Sequence, residues 1–536
     1  MLLSFLAAAT WVPAVLGLGT LLRLEPEDDV RIAVNGFAGL GVVAAAGMAV
    51  HPFAPVAPLV GDSLILAGLI LFWRSPRAAA GPLSASGVGV ALLALLCLAR
   101  LAQQPGVHYD AGLYQLPMLR WTTETRLVPG LANLHFRFGF DTAWIPAAAA
   151  TEHHLLVHRS PTYLNALPVF LGLTAVARSA RSFVRGSRSL HTSLLVLGAA
   201  PVAMAASAVG GLEQDHAVSI LAFLVFALWL RAAEAPERLP EDAVAAVLLS
   251  TLVATMKLSA APLALGSVML LVLWRRRLAR SAVLPMAASG ALLLTWIVRG
   301  LLLSGCVAFP AVQTCVAALP WAAPEAAAWG AHAVREWARV PGAPVGLEPH
   351  RAWIGAWLRS SAPSLAVFGS ALAAGLVLAF SRGVPRPRLA FLAAWGAAAA
   401  GVAFWFASAP DVRFGLGYLF PFALLPAAHA LSEHRLFAQS RARRGTVVLI
   451  AGGVVALAAG LLLARPAQGG STALLSWPEV PVVHTELRRS ARGFEARVPT
   501  SGDQCWLAPR PCTPELEPGL SFDRWFSREA PPASSR

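Results

Sequence analysis

The chain has 536 residues, 57% of them hydrophobic and 13% charged, with a mean hydropathy of +0.63. One soluble core of this length could not bury that much apolar surface, and the low charge excludes disorder. A polytopic membrane protein remains, because roughly 20 apolar residues make one span.

About fourteen hydrophobic segments follow one another, at 4–22, 32–50, 56–73, 86–102, 162–177, 190–209, 217–230, 242–256, 259–274, 281–302, 363–380, 389–407, 415–431 and 446–464. The first lacks a basic n-region and a cleavage site, so it reads as a span and not as a signal peptide. Net charge is +14, and Lys257 is the one Lys among 42 basic residues. Position tells more about this charge than nucleic-acid affinity does. One set of short connections carries Arg74 and Arg77; Arg178, Arg181, Arg185 and Arg188; Arg275, Arg276, Arg277 and Arg280; Arg382, Arg386 and Arg388; and Arg435, Arg441, Arg443 and Arg444. The alternate short connections carry only Lys257 and Arg413. The positive-inside rule puts the Arg-rich set in the cytoplasm and both termini outside.

Three long segments then lie outside: loops 103–161 and 303–362, and the tail 466–536. The segment 466–536 is expected to be an extracytoplasmic tail. The cytoplasmic loops are too short for a nucleotide-binding domain, and no GxxxxGK[ST] loop occurs, which argues against an ABC-type ATPase within the chain. Four of the five Cys lie outside. Cys306 with Cys315 and Cys505 with Cys512 read as two local disulfides in an oxidising compartment; unpaired thiols and loop-to-tail pairing are the alternatives.

The first outer loop concentrates ionisable groups against the bilayer, where they are costly unless used or paired. It opens His108-Tyr109-Asp110-Ala111-Gly112-Leu113-Tyr114. Tyr114, Met118 and Trp121 share one face of an expected interfacial helix. A carboxylate just after an early span, followed by Tyr and an interfacial helix, resembles the GT-C superfamily of membrane glycosyltransferases. That resemblance implies an all-α integral membrane fold with outer-face interfacial helices and a polyprenyl-phosphate-linked sugar donor. It also implies a glycan, lipid or protein acceptor, with Asp110 as catalytic base and Tyr114 beside it. The chain resembles more closely a largely uncharacterised group of bacterial polytopic proteins, through Tyr109–Tyr114, Val128-Pro129-Gly130-Leu131-Ala132-Asn133-Leu134-His135-Phe136-Arg137, Ala409-Pro410-Asp411-Val412-Arg413-Phe414, and Gln504-Cys505-Trp506 with Pro511-Cys512-Thr513-Pro514. It departs from that group at Asp141, where Asn is expected, and at Gln115, where His is expected. The superfamily core begins with the span before the catalytic loop, which here is the fourth, so the resemblance implies 1–80 as additional N-terminal helices and 81–465 as the GT-C-like transmembrane core.

Each candidate has a plainer reading. Asp110 is catalytic, or it caps a helix. Arg120, Arg137, Lys257 and Arg413 are candidate phosphate ligands, with His135 as a further substrate contact; Asp411 and Arg413 are alternatively a structural ion pair, and Lys257 a snorkelling side chain. Glu213-Gln214-Asp215-His216 is a polar turn over a central cavity, with Asp215 as substrate ligand, or a solvated turn. Glu152, His153, His154 and His158 allow a metal site through the i, i+4 spacing of the last two, but no metal is firmly implied; a divalent cation is an option that the superfamily admits. Trp321, Trp329, Trp337, Trp353 and Trp357 stack on sugar or anchor the protein at the interface. The leading function is inverting transfer of a sugar outside a bacterial inner membrane, with the lipid bilayer as partner and no nucleic acid. A flippase for lipid-linked saccharides and a non-catalytic polysaccharide-assembly protein are the alternatives.

Overall fold

The computed structural model describes residues 1–82, 84–103, 109–155, 159–235, 239–273, 282–340, 353–381, 384–385, 388–434, 437, 440–463 and 480–528. Arg275, Arg276, Arg277, Arg280, Arg382, Arg386, Arg435, His108 and His158 fall outside these residues. Ten described helices are long and apolar enough to cross a membrane: Leu2–Thr20, Arg31–Val50, Ser160–Arg185, Leu190–Ala208, Asp215–Glu234, Val283–Ser304, Trp353–Ala379, Leu389–Ser408, Val412–Glu433 and Arg441–Leu461. This is an all-α multi-pass membrane protein. The four other expected segments are also helical: Pro58–Arg74, Ala85–Leu101, Leu239–Met256 and Ala261–Leu273. They are 17, 17, 18 and 13 residues long, near or below the short end of the roughly 17–25 that span a bilayer.

Between lipid-embedded helices packing, not water exclusion, drives association, so small residues mark the contacts. A Cβ on Gly39 would lie 1.8 Å from the Val15 carbonyl oxygen, and one on Gly68 would lie 2.3 Å from that of Ala14. The first three helices therefore meet backbone to backbone. Arg31–Val50 also touches the rest of the bundle, with Gly36 against Leu171 and Gly47 against Pro146. The helices Trp353–Ala379 and Arg441–Leu463 expose Val377, Leu449, Ile450 and Leu457, as lipid-facing surfaces do.

The two ends of the bundle differ. At the arginine-rich end, Arg231 joins Asp242 and Asp29, His191 joins Glu234 and Asp29, and Arg178 donates to the carbonyls of Asp28 and Ala80. At the other end, the first loop, the loop after Ser304 and the tail build one cap. Disulfides join Cys306 to Cys315 and Cys505 to Cys512, the local pairing. Asn133 donates to the carbonyls of Trp321 and Phe526, which ties all three segments together. Among its described residues the tail forms two hairpins, Thr485–Arg489 with Glu495–Pro499 and Leu520–Phe522 with Phe526–Arg528.

This cap corrects one expectation. Residues 116–124 are helical, but the helix Leu116–Glu124 does not lie open on a membrane surface: Leu116, Met118, Leu119 and Trp121 are buried. Trp121 meets the Phe526 ring edge-on and the Arg510 guanidinium over its face. An amphipathic pattern specifies an apolar face but not whether lipid or protein covers it. Here protein covers it: the tail at Trp121, and the helix Trp144–Thr151 packed alongside.

Candidate functional site

Four connections that lie far apart in sequence converge at the capped end, and each is shaped by local hydrogen bonding. Asp110 precedes the π-helical turn Ala111–Gln115, which leads into Leu116–Glu124. The 208–214 connection is gathered by Asn165, whose amide donates to the carbonyls of Ala208, Gly211 and Glu213. The next connection breaks a helical hairpin at Lys257, which is extended between Leu239–Met256 and the 3-10 turn Leu258–Ala260. A helix end leaves orphan carbonyls. Those of Thr255 and Met256 accept from the Ala143 N–H and the Thr142 hydroxyl, so the first loop holds the break in place. The fourth connection ends at Asp411, which caps Val412–Glu433 by accepting from the Arg413 N–H at 2.9 Å. Indole donors from Trp357 to the Pro410 carbonyl and from Trp405 to the Asp411 carbonyl fix its path, each at 2.6 Å.

Arg413 is the hub. Its guanidinium lies 3.2 Å from Glu213, 3.4 Å from Asp110, 3.7 Å from Asp411 and 3.9 Å from Asp215. Lys257 pairs with Asp215 on the far side of that carboxylate. The cations also face aromatic rings: Lys257 sits 3.8 Å from the Phe414 centroid, and Arg413 sits 4.8 Å from that of Trp337. Glu213 and Asp215 side chains are only 5% and 6% exposed, whereas Arg413 is 26% exposed. The cluster is therefore buried below and open above. Burial raises the Asp411 carboxyl above its ordinary range, even against the opposing charge of Arg413. Burial and the Asp110 charge together raise the Tyr114 phenol, which stays a proton donor.

Chemically, four carboxylates surround two cations. The carboxylates are acceptors for hydroxyl groups, and the cations are donors for an anion that displaces a carboxylate from them. Asp110, partly exposed and released from Arg413, is a carboxylate that can also accept a proton.

The structure brings together Asp110, Tyr114, Asp215, Lys257, Asp411 and Arg413 from the residues singled out in sequence. It sets Arg120, His135 and Arg137 apart. Arg120 pairs with Glu124 and donates to the Leu507 carbonyl. His135 is buried against Phe136 and Phe138, and burial pushes its imidazole down to about 3. Arg137 lies over the Phe136 ring. His154 pairs with Asp62, and no group of three or more His, Cys, Asp or Glu able to hold a metal occurs among the described residues. Sequence reasoning did not count Glu213 or Phe414 as site residues and left Trp337 between sugar stacking and interfacial anchoring. The polar turn containing Glu213 was visible, but nothing local distinguished Glu213 from Asp215. Only the fold aims Trp337 at Arg413.

A family profile described as "Domain of unknown function (DUF8201)" matches residues 1–420. The chain belongs to the DUF8201 family. The DUF8201 match takes in every residue of the Arg413 cluster and ends before the tail. No curated protein and no solved structure matches the chain.

Proposed function

We propose that this DUF8201 protein is a membrane glycosyltransferase of GT-C-like architecture. It moves a sugar from a polyprenyl-phosphate carrier to a glycan, lipid or protein acceptor, on the extracytoplasmic face of a bacterial inner membrane. The observation that carries this reading is the ion pair between Asp110 and Arg413, beside Lys257, at one end of a helical bundle.

In this reading the donor phosphate takes up Arg413 and Lys257, and Arg413 turns away from Asp110. The freed carboxylate accepts the proton of the acceptor hydroxyl. The acceptor oxygen bonds to the anomeric carbon as the bond from that carbon to the phosphate oxygen breaks. Polyprenyl phosphate leaves with the electron pair, the anomeric centre inverts, and Asp110 returns its proton to water. Glu213, Asp215 and Asp411 accept hydrogen bonds from sugar hydroxyls, and Trp337 offers a ring face.

Binding of a polyprenyl monophosphate tests the anion side of this account. The lipid should raise the unfolding midpoint of the wild-type protein and raise that of Lys257→Met much less, because affinity falls by about 10-fold when a charged donor is lost. Equal stabilisation of both proteins would contradict it. The broken hairpin at Lys257 resembles the interrupted helices of transporters, so movement of lipid-linked saccharide across proteoliposomes without transfer would favour the flippase reading.

A further inference from the structure

The tail lies outside the DUF8201 match, yet it touches the residues on both sides of Asp110. Tyr109 donates its hydroxyl to Asp503 and accepts at its carbonyl from the Gln504 amide at 2.7 Å. Two residues beyond Asp110, the Gly112 carbonyl accepts from the Trp506 N–H at 2.8 Å. The Trp506 ring occupies the place of a side chain on Gly112: a Cβ there would fall 2.4 Å from it. Trp506 itself has a positive φ of 47°, and the Cys505–Cys512 disulfide closes its loop. The loop's far side is anchored to the same helix and loop. Arg510 pairs with Glu124 and covers Trp121, and the Thr513 hydroxyl donates to the Leu134 carbonyl.

A π-turn is rare, and it stays ordered where its surroundings hold it. Ala111–Gln115 is such a turn, and its Gly112 carbonyl is bonded from the tail. We propose that Trp506 and its disulfide loop are the positioning element for Asp110: Asp503, Gln504 and Trp506 clamp Tyr109 and Gly112, and so hold the intervening carboxylate against Arg413. Trp506 touches no reacting group. It acts through the backbone of 109–112. The catalytic half of this proposal rests on the glycosyltransferase reading; the clamping half does not.

The experiment uses the full-length protein in proteoliposomes with Trp506→Ala, Trp506→Phe and Gly112→Ala. Amide exchange over 109–116 reads the clamp directly. It should rise in Trp506→Ala and Gly112→Ala and return toward wild type in Trp506→Phe, while exchange in the Asp215–Glu234 helix stays unchanged. Unchanged exchange over 109–116 would overturn the clamp. For transfer, a small displacement of a catalytic group costs about 10²-fold, so Trp506→Ala should lose about that in kcat with KM for the donor lipid little changed. In an Asp110→Asn background the same substitution should cost nothing further. Losses that multiply would show that Trp506 does not act through Asp110. Faster exchange in Trp506→Ala and Gly112→Ala, with no sugar transfer by wild type, would retain the clamp and remove the glycosyltransferase reading.

Discussion

Arg413→Gln is the most informative single substitution. It removes the positive charge that Asp110, Glu213, Asp215 and Asp411 share and keeps a polar side chain. At an effective dielectric of about 20, separations of 3.2–3.9 Å correspond to about 4–5 kcal/mol of gross attraction for each carboxylate. Desolvation and repulsion among the carboxylates cancel most of this. The net cost of removing one member of a buried pair is about 3–5 kcal/mol, and the 26% exposure of Arg413 lowers the expectation to about 2–4 kcal/mol. Unfolding titrations in mixed detergent micelles measure it. Glu213→Gln added to Arg413→Gln should recover part of the loss, since it removes one of the charges left uncompensated. If Arg413→Gln were as stable as wild type, or if the second substitution added to the damage, Arg413 would not be what holds the carboxylates together.

Glu124 supplies a pH prediction. Burial pushes its carboxyl up, but the hydrogen bonds and charges of Arg510 and Arg120 outweigh this and hold it below its ordinary 4.5. Its contribution to docking of the tail is therefore complete above that value and is lost as pH falls through the lower folded-state value. Protease resistance of the tail should weaken in wild type as pH falls below the ordinary carboxyl value of 4.5, and Glu124→Gln should be weaker at neutral pH with a smaller loss in acid. Thiol labelling of the denatured protein should modify Cys97 alone before reduction and all five Cys after it, as the two disulfides require; a third thiol before reduction would break the pairing. Gly39→Leu forces a side chain into the Val15 backbone and should cost more than about 3 kcal/mol or prevent insertion, read as yield of folded monomer.

Much of this architecture was legible because lipid restricts what a chain can do. Long apolar runs had to be helices, and the asymmetric Arg residues separated two sets of connections. Ionisable residues beside such runs are costly, so Asp110, Asp215, Lys257, Asp411 and Arg413 could each be singled out alone. Their meeting at one guanidinium needed the fold, because they come from four connections spread over 300 residues of sequence. Arg120 and Arg137 carried the same signal as Arg413 but found local partners in Glu124 and Phe136. The docking of Trp506 on Gly112 has no periodic signature at all. A glycine two residues after Asp110 reads as a turn residue, and only the structure shows that an indole occupies its missing side chain. The burial of Leu116–Glu124 was hidden for the same reason: the cover over its Trp121 comes from the other end of the chain.

Sugar transfer in proteoliposomes made with native lipid extract tests the central claim most directly, with wild type compared against Asp110→Asn at matched incorporation. The substitution preserves shape and removes the base. The account predicts transfer by wild type and a loss of about 10²-fold or more in Asp110→Asn. Equal transfer by the two proteins would reduce Asp110 to a structural partner of Arg413 and contradict the account.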